Sequence, residues 1–131
     1  MCDDFGHAEL VDEHTLFPTG SATKAFTATA RGILVDDGKV QWDAPVSKYL
    51  TDVRFPTAEL TAEVTIRDIL SHRTGIADDF PAYWGTAASP MDLLHARFPS
   101  LAVHAGLREG FEYNNLMYFA GGEVVARASG T

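Results

Sequence analysis

The longest helical pattern in the chain follows Gly20. Residues 22–35 contain no proline and a single glycine, and their apolar side chains cover most of the circumference of a helix. Gly38 suits the left-handed conformation that often closes a helix, so the helix is expected to end there. Because so little of its surface is polar, we expect this helix to lie inside a domain. Its polar side chains form one stripe: Lys24, Thr27 and Arg31.

Shorter helices are predicted where a capping residue precedes an apolar pattern. Thr65 and Asp68 have the hydroxyl-to-carboxylate spacing of a capping box, and Ser89 is followed by a proline in the first helical position. The predicted segments are a brief helix through Leu50 capped by Asp43, helices after Thr65 and Ser89, and a last helix from about Leu116 to Ala128 capped by Asn115.

Three other segments carry weaker patterns. Residues 39–42 alternate briefly and predict a short extended piece, and residues 80–85 form an aromatic loop. Upstream of the first helix, the apolar Leu16 and Phe17 are expected to pack beneath it.

The amino-acid composition and net charge exclude some classes of binding partner. The 131 residues carry a formal net charge of −8, which argues against nucleic acid or an anionic membrane surface as a partner. Acidic pairs such as Asp78-Asp79 are interpreted as solvated turns, since no histidine or cysteine lies beside them at ligand spacing. The sequence therefore predicts no metal and no cofactor. It shows neither a signal-peptide pattern nor an apolar run long enough to span a bilayer, and its localisation stays open.

Ser21 and Lys24 form the first candidate for chemistry, at the start of the predicted long helix. Residues three apart share a helix face, so the Lys24 amino group can reach the Ser21 hydroxyl. A serine becomes a nucleophile when a base takes its proton, and a buried lysine can be that base because desolvation lowers its pKa. An isolated pair of this kind is more often a helix cap beside a solvated lysine, so the rest of the chain must decide.

Tyr113 and Asn115 form the second candidate, just before the last predicted helix. A phenol and a carboxamide two residues apart can point into one cleft, where the phenol exchanges a proton and the amide orients its neighbours. A structural tyrosine followed by a helix cap is the usual explanation of such a pair in isolation. The presence of both motifs in one chain favours the catalytic interpretation.

The chain resembles the penicillin-recognising serine hydrolases, in the branch of class C β-lactamases, D-amino-acid-specific peptidases and serine esterases. The segments that carry the resemblance are residues 15–28, 65–75 and 112–118, and it extends over about residues 8–131. The resemblance implies that residues 1–131 are a partial hydrolase domain. The chain would be mainly α, as the helical part of an α+β β-lactamase/transpeptidase-like fold, and most of the antiparallel sheet of that fold would be missing. The third family motif, Lys-Thr-Gly or His-x-Gly on a strand, has no counterpart after Tyr113.

The resemblance also implies roles for the four residues. Ser21 would attack a carbonyl to form an acyl-enzyme, Lys24 and Tyr113 would share the proton transfers, and Asn115 would hold Lys24 and the substrate. Which of Lys24 and Tyr113 is the base stays open. The implied partner is a small-molecule or peptide substrate with a reactive carbonyl: an amide, a β-lactam or an ester.

Two further expectations follow from the absent third motif. The chain alone is expected to be an inactive fragment, and its apolar helix faces are expected to stay exposed and to favour self-association. The alternative, from a different functional class, is a non-catalytic helical module that uses the same scaffold for binding or assembly.

Overall fold

The computed structural model describes residues 11–130, which form helices joined by loops and turns. Within this range the backbone contains no strand, and it pairs only at two isolated antiparallel bridges, Pro45 with Thr65 and Ile76 with Val103. The mainly α class predicted for the chain is confirmed. The α-helices are α1 (Thr23–Asp36), α2 (Ala58–Glu63), α3 (Ile66–Leu70), α4 (Phe80–Tyr83), α5 (Pro90–Arg97) and α6 (Leu116–Ser129), and short 3₁₀ turns occupy Gly20–Ala22, Val46–Lys48 and Phe98–Ser100.

Helix α6 is the centre of the packing, because it contacts α1, α3 and α5. Leu116, Met117, Ala120 and Val124 form its fully buried stripe. Complete burial of a large apolar side chain contributes roughly 1.5–3 kcal/mol, so this stripe is a main source of cohesion. None of the helices in the described range has the length and apolar character that crossing a membrane demands.

Helix α1 is less buried than its sequence predicts. Only Arg31 and Leu34 are buried, whereas Phe26 and Ile33 are 74% and 58% exposed. The exposed residues Ala22, Phe26, Thr29 and Ile33 recur at helical spacing, and we call them the outer face of α1. This face stays open because α6 packs against the opposite side of the helix.

The segment before α1 also departs from expectation. Leu16 and Phe17 are 95% and 66% exposed, so the prediction that they pack beneath the helix is wrong. Residues 39–42 form no strand either: the Val40 N–H bonds back to the Leu34 carbonyl and continues the turn that closes α1.

Helices α3 and α5 begin where the sequence predicts. Thr65 with Asp68, and Ser89 with Asp92, form complete capping boxes in which the hydroxyl and the carboxylate each accept a backbone N–H. Both motifs depend only on residues three apart, which is why they can be recognised locally.

Two other predicted caps are wrong. Asp43 does not cap the turn at residues 46–48; it forms a two-pronged ion pair with Arg67, at 2.7 and 2.9 Å. Asn115 does not cap α6, because its side chain is turned toward Lys24. Its neighbour Asn114 takes the capping role, with its Oδ1 accepting the Met117 N–H at 3.2 Å.

Candidate functional site

The 3₁₀ turn at Gly20–Ala22 leads directly into α1 and leaves Ser21 exposed at the start of the helix. The Thr23 hydroxyl donates to the Gly20 carbonyl at 2.7 Å and fixes this entry. One turn later, Lys24 Nζ donates to Ser21 Oγ at 3.2 Å. Lys24 is half-buried rather than buried, so it differs in this respect from the desolvated lysine that the sequence suggested.

Tyr113 reaches the same hydroxyl from the loop before α6. Its phenol oxygen lies 2.6 Å from Ser21 Oγ, across 92 residues of sequence. Lys24 Nζ lies over the Tyr113 ring, 4.9 Å from its centroid. The neighbouring Lys24 ammonium, and then the hydrogen bond to Ser21, lower the pKa of Tyr113. At a given pH, this environment therefore increases the fraction of Tyr113 that is present as phenolate.

Asn115 holds the other side of the lysine. Its Oδ1 accepts from Lys24 Nζ at 2.6 Å, and its Nδ2 donates to Asp78 at 3.0 Å and to the Tyr83 hydroxyl at 2.9 Å. With both ends of the amide engaged, its orientation is fixed. The structure thus brings Ser21, Lys24, Tyr113 and Asn115 into one hydrogen-bonded group.

Asp78 supports this group, and the sequence interpretation of it as a solvated turn residue is wrong. The side chain is half-buried; Oδ1 accepts the Asn115 N–H at 3.2 Å, and Oδ2 accepts the Tyr83 hydroxyl at 2.6 Å and the Asn115 amide. Its neighbour Asp79 instead makes a looser surface pair with Arg97, at 3.9 Å. No local signal separates the two carboxylates, and the sequence predicts only an aromatic loop for the segment that contains Tyr83.

His72 lies behind the tyrosine and was also missed. Its ring packs on that of Tyr113, with centroids 4.4 Å apart, and its Nδ1 accepts the Asn114 N–H at 3.2 Å. Burial, and then the charge of Lys24, lowers the pKa of His72. The neutral ring, with its proton on Nε2, is therefore favoured and positions the loop that carries Tyr113. A backbone φ of 57° at this residue is a second sign of a constrained position.

A cleft of about 280 Å³ opens beside these residues. One part of the cleft is lined by the start of α1 and by Asn115, and the other part by the rings of Phe80, Tyr83, Trp84 and Phe119. Residues 80–83 form α4 rather than the irregular loop that the sequence suggested. A carbonyl group placed in this cleft can approach the serine hydroxyl. The arrangement can therefore support nucleophilic attack followed by proton transfer.

Comparison with known proteins gives a consistent picture. The β-lactamase family model matches residues 2–131. The chain is 39% identical over 140 residues to an unguisins hydrolase of Aspergillus campestris (strain IBT 28561), and the match includes 96% of this chain and 26% of that protein.

Two solved structures resemble the described fold. A D-stereospecific amidohydrolase from Streptomyces superposes with a TM-score of 0.75 at 25% identity, over 88% of this chain and 38% of that one. The octameric penicillin-binding protein homologue from Pyrococcus abyssi gives a TM-score of 0.73 at 28% identity, over 86% of this chain and 27% of that one. The chain thus spans about a quarter of the curated relative and a quarter to two-fifths of the solved structures.

Proposed function

The chain belongs to the β-lactamase family, and on this premise we propose that it carries the nucleophile of a serine hydrolase that acts through an acyl-enzyme. The observation that carries the proposal is the position of Ser21 Oγ, 2.6 Å from a phenol with a lowered pKa and 3.2 Å from an amine. The substrate is an amide, a β-lactam or an ester of a small molecule or peptide. The names of the unguisins hydrolase and the amidohydrolase support hydrolysis, although both proteins are much longer than this chain.

In the proposed mechanism Tyr113 is the base and Lys24 the supporting cation. The Ser21 proton passes to the Tyr113 phenolate while Oγ bonds to the carbonyl carbon, and Tyr113 then returns the proton to the departing amine or alcohol. Lys24 stabilises the phenolate, and its contact with Asn115 keeps it in place. Water then attacks the acyl-enzyme by the reverse sequence of proton transfers and restores Ser21.

The developing oxyanion also needs donors. The Ser21 backbone N–H lies in the first turn of a helix and has no intrahelical partner, so it can supply one. A single donor of this kind stabilises the transition state by about 2.7–4 kcal/mol. We therefore propose that turnover by this chain alone is close to absent, in line with the inactivity expected from the sequence, because a second donor is required for full rate. A single acylation of Ser21 by a reactive probe requires no turnover and is proposed to occur.

Covalent labelling tests the nucleophile directly. A fluorophosphonate probe followed by mass spectrometry of the tryptic peptides should find the label on Ser21, and Ser21→Ala should abolish it. Ser100→Ala is the matched control, since Ser100 is an exposed serine that donates to the Arg97 carbonyl. Unchanged labelling of the Ser21→Ala protein would contradict the proposal. A folded wild-type chain that takes no label would favour the alternative of a non-catalytic helical module.

We also propose that the isolated chain self-associates through the outer face of α1. Phe26 and Ile33 expose apolar surface there, and the Pyrococcus abyssi homologue is described as octameric. Sedimentation velocity should show concentration-dependent oligomers that dissociate in the Phe26→Lys/Ile33→Glu double variant. The control is Val103→Lys, since Val103 is a 46% exposed apolar residue that lies outside the outer face of α1, and this substitution should leave the oligomeric state unchanged. A wild-type chain that stays monomeric at every concentration would contradict this.

A further inference from the structure

Four aromatic side chains form a continuous row along the cleft. The ring centroids of Trp84 and Phe80 lie 5.1 Å apart, those of Phe80 and Tyr83 5.4 Å, and those of Tyr83 and Phe119 5.4 Å. We call these residues the aromatic row. All four line the same cleft as Ser21 and Lys24.

The inner end of the row is anchored to the candidate site. The Tyr83 hydroxyl donates to Asp78 and accepts from Asn115, the residue whose carbonyl oxygen accepts from Lys24. Burial, and then the bond to Asp78, raises the pKa of Tyr83, so this ring stays a neutral phenol. The row is consequently fixed relative to the serine hydroxyl rather than attached to an independent loop.

The outer end of the row is open. Trp84 is 73% exposed and Phe80 50% exposed, although the two rings stack nearly parallel, at 28°. Aromatic side chains stabilise a complex mainly through the apolar area that they bury, and a stacked pair of exposed rings beside a reactive group is a typical surface for binding an apolar ligand. Other exposed apolar side chains, such as Phe26, do not line this cleft.

Charge and volume restrict what the row can bind. In the described part of the chain, the cleft lining contains one cation, Lys24, and no carboxylate. Aromatic faces can also attract cations, but Lys24 would repel one here. A volume of about 280 Å³ is small for a ligand site and suits one ring with its adjoining amide rather than a long peptide.

We propose that the aromatic row binds a neutral aromatic side chain on the acyl side of the substrate. This inference rests on the proposed function, because it places the scissile carbonyl at Ser21. We assign the cleft to the acyl side because the acyl group stays bonded to Ser21 in the acyl-enzyme, whereas the amine or alcohol leaves, so only the acyl substituent is held beside Ser21 in both steps. The preferred substrates are amides or esters of phenylalanine-like or tryptophan-like acids.

Binding is measured first, without any covalent step. The Ser21→Ala chain is titrated with N-acetylphenylalanine amide and N-acetylalanine amide, in both enantiomers, while amide chemical shifts are followed by NMR. We expect at least one phenylalanine enantiomer to bind about tenfold more tightly than the alanine compound, and to shift the signals of the aromatic row. Equal affinities would overturn the inference.

Labelling then connects binding to the serine. Two phosphonate probes with the same leaving group, one with a benzyl and one with a methyl substituent, should label the wild-type chain at rates that differ about tenfold. Trp84→Ala and Phe80→Ala should reduce this ratio to near one, and Trp84→Phe should restore most of it. Phe26→Ala is the control, since Phe26 is an equally exposed ring outside the cleft.

The two proposals fail in different ways. Labelling that persists in Ser21→Ala would reject the nucleophile, whatever the probe preference. The aromatic row would be rejected as a binding site if labelling requires Ser21 but shows no preference for the benzyl probe. It would also be rejected if the benzyl preference persists in Trp84→Ala. Neither result would contradict Ser21 as the nucleophile.

Discussion

The hydrogen bonds made by Lys24 beside Ser21 have a defined direction. Lys24 can only donate, and it does so to Ser21 Oγ and to Asn115 Oδ1. Ser21 Oγ accepts from Lys24 and lies 2.6 Å from the Tyr113 oxygen, a contact in which either hydroxyl can be the donor. At the scale of single residues, this short contact is the one that the proposed transfer of the serine proton to Tyr113 requires.

Tyr113→Phe should slow labelling of Ser21 about 10²–10⁴-fold, because it removes the proposed base. In the wild-type chain the rate should rise with pH through the lowered pKa of Tyr113, and the variant should lose this rise. Stopped-flow measurement of probe attachment from pH 6 to pH 10 checks both. Tyr49→Phe is the control, since its hydroxyl accepts the Gln41 N–H far from Ser21 along the chain. A Tyr113→Phe rate within twofold of wild type would assign the base elsewhere.

Asp78 and Asp79 provide a matched pair of substitutions. Asp78→Asn puts an amide where four donors converge, and it should lower the free energy of unfolding by about 1–3 kcal/mol and slow labelling. Asp79→Asn should cost no more than about 0.5–1 kcal/mol, because its pair with Arg97 is at the surface. Urea unfolding of both variants measures the difference. Equal losses would mean that Asp78 has no special supporting role.

His72 should make the free energy of unfolding decrease at pH values above the range in which carboxylates titrate. Its pKa is lowered in the folded chain by burial and then by Lys24, against a smaller opposing effect of Asp78. As the pH falls below 6.5, the unfolded chain gains a proton that the folded chain does not, so the free energy of unfolding should decrease. The carboxylates with lowered pKa values contribute only below their ordinary value of 3.8.

Asparagine at position 72 isolates this effect. Asn tolerates a positive φ and its side-chain oxygen can accept the Asn114 N–H, yet it does not titrate. Urea unfolding between pH 7 and pH 4 should show a flatter pH dependence for His72→Asn than for wild type. Parallel curves for the two proteins would show that His72 is not the group responsible.

The four site residues named from sequence share a simple property: each pair is two or three residues apart, so local geometry alone places its members together. Asp78 and His72 have no such partner. They contact residues 37 and 42 positions further along the chain, and these contacts exist only after α6 has packed. Sequence spacing could therefore suggest the reacting groups but could not identify the side chains that hold them.

At the scale of elements, the same distinction separates correct from incorrect predictions. The starts of α3 and α5 were predicted because a capping box is local. Asp43 and Asn115 are also residue types that favour the N-cap position. Their side chains instead accept from donors distant in sequence, Arg67 and Lys24. The burial of α1 was overestimated for a similar reason, since periodicity identifies an apolar face without showing what covers it.

Substitution of Gly75 tests how closely its loop must approach the loop that contains Ala105. Its φ is +70°, and a Cβ added there would lie 2.1 Å from the Ala105 carbonyl oxygen. Gly38 has the same φ with no atom within 4 Å, so it is the matched control. Gly38→Ala should cost about 1–2 kcal/mol of unfolding free energy from backbone strain alone. Gly75→Ala should cost about 1–3 kcal/mol more, because the loops must separate. Similar thermal melts for the two variants would contradict the close approach.

At the scale of the whole molecule, the interface between α1 and α6 holds an unexpected charge. Arg31 is completely buried, and its three guanidinium nitrogens have no hydrogen-bond partner among residues 11–130. Burial lowers the pKa of Arg31 to about 10, so the side chain is still charged at neutral pH. The sequence placed Arg31 in a polar stripe and gave no sign that this stripe faces the core.

Arg31→Met should raise the free energy of unfolding by about 1–3 kcal/mol, because it removes unsatisfied donors and keeps much of the volume. Arg31→Ala serves as the comparison and should be less stable than Arg31→Met, since it leaves a cavity. Urea unfolding at pH 7 measures both. A less stable Arg31→Met protein would show that the guanidinium makes a favourable interaction in solution.

The distance of 92 residues between Ser21 and Tyr113 has a consequence for biosynthesis. A nascent chain that has emerged from the ribosome only through α5 already exposes the serine, yet the tyrosine proposed as its proton acceptor has still to emerge. In the proposed mechanism, Ser21 of a nascent chain would therefore become reactive only after α6 has emerged and docked.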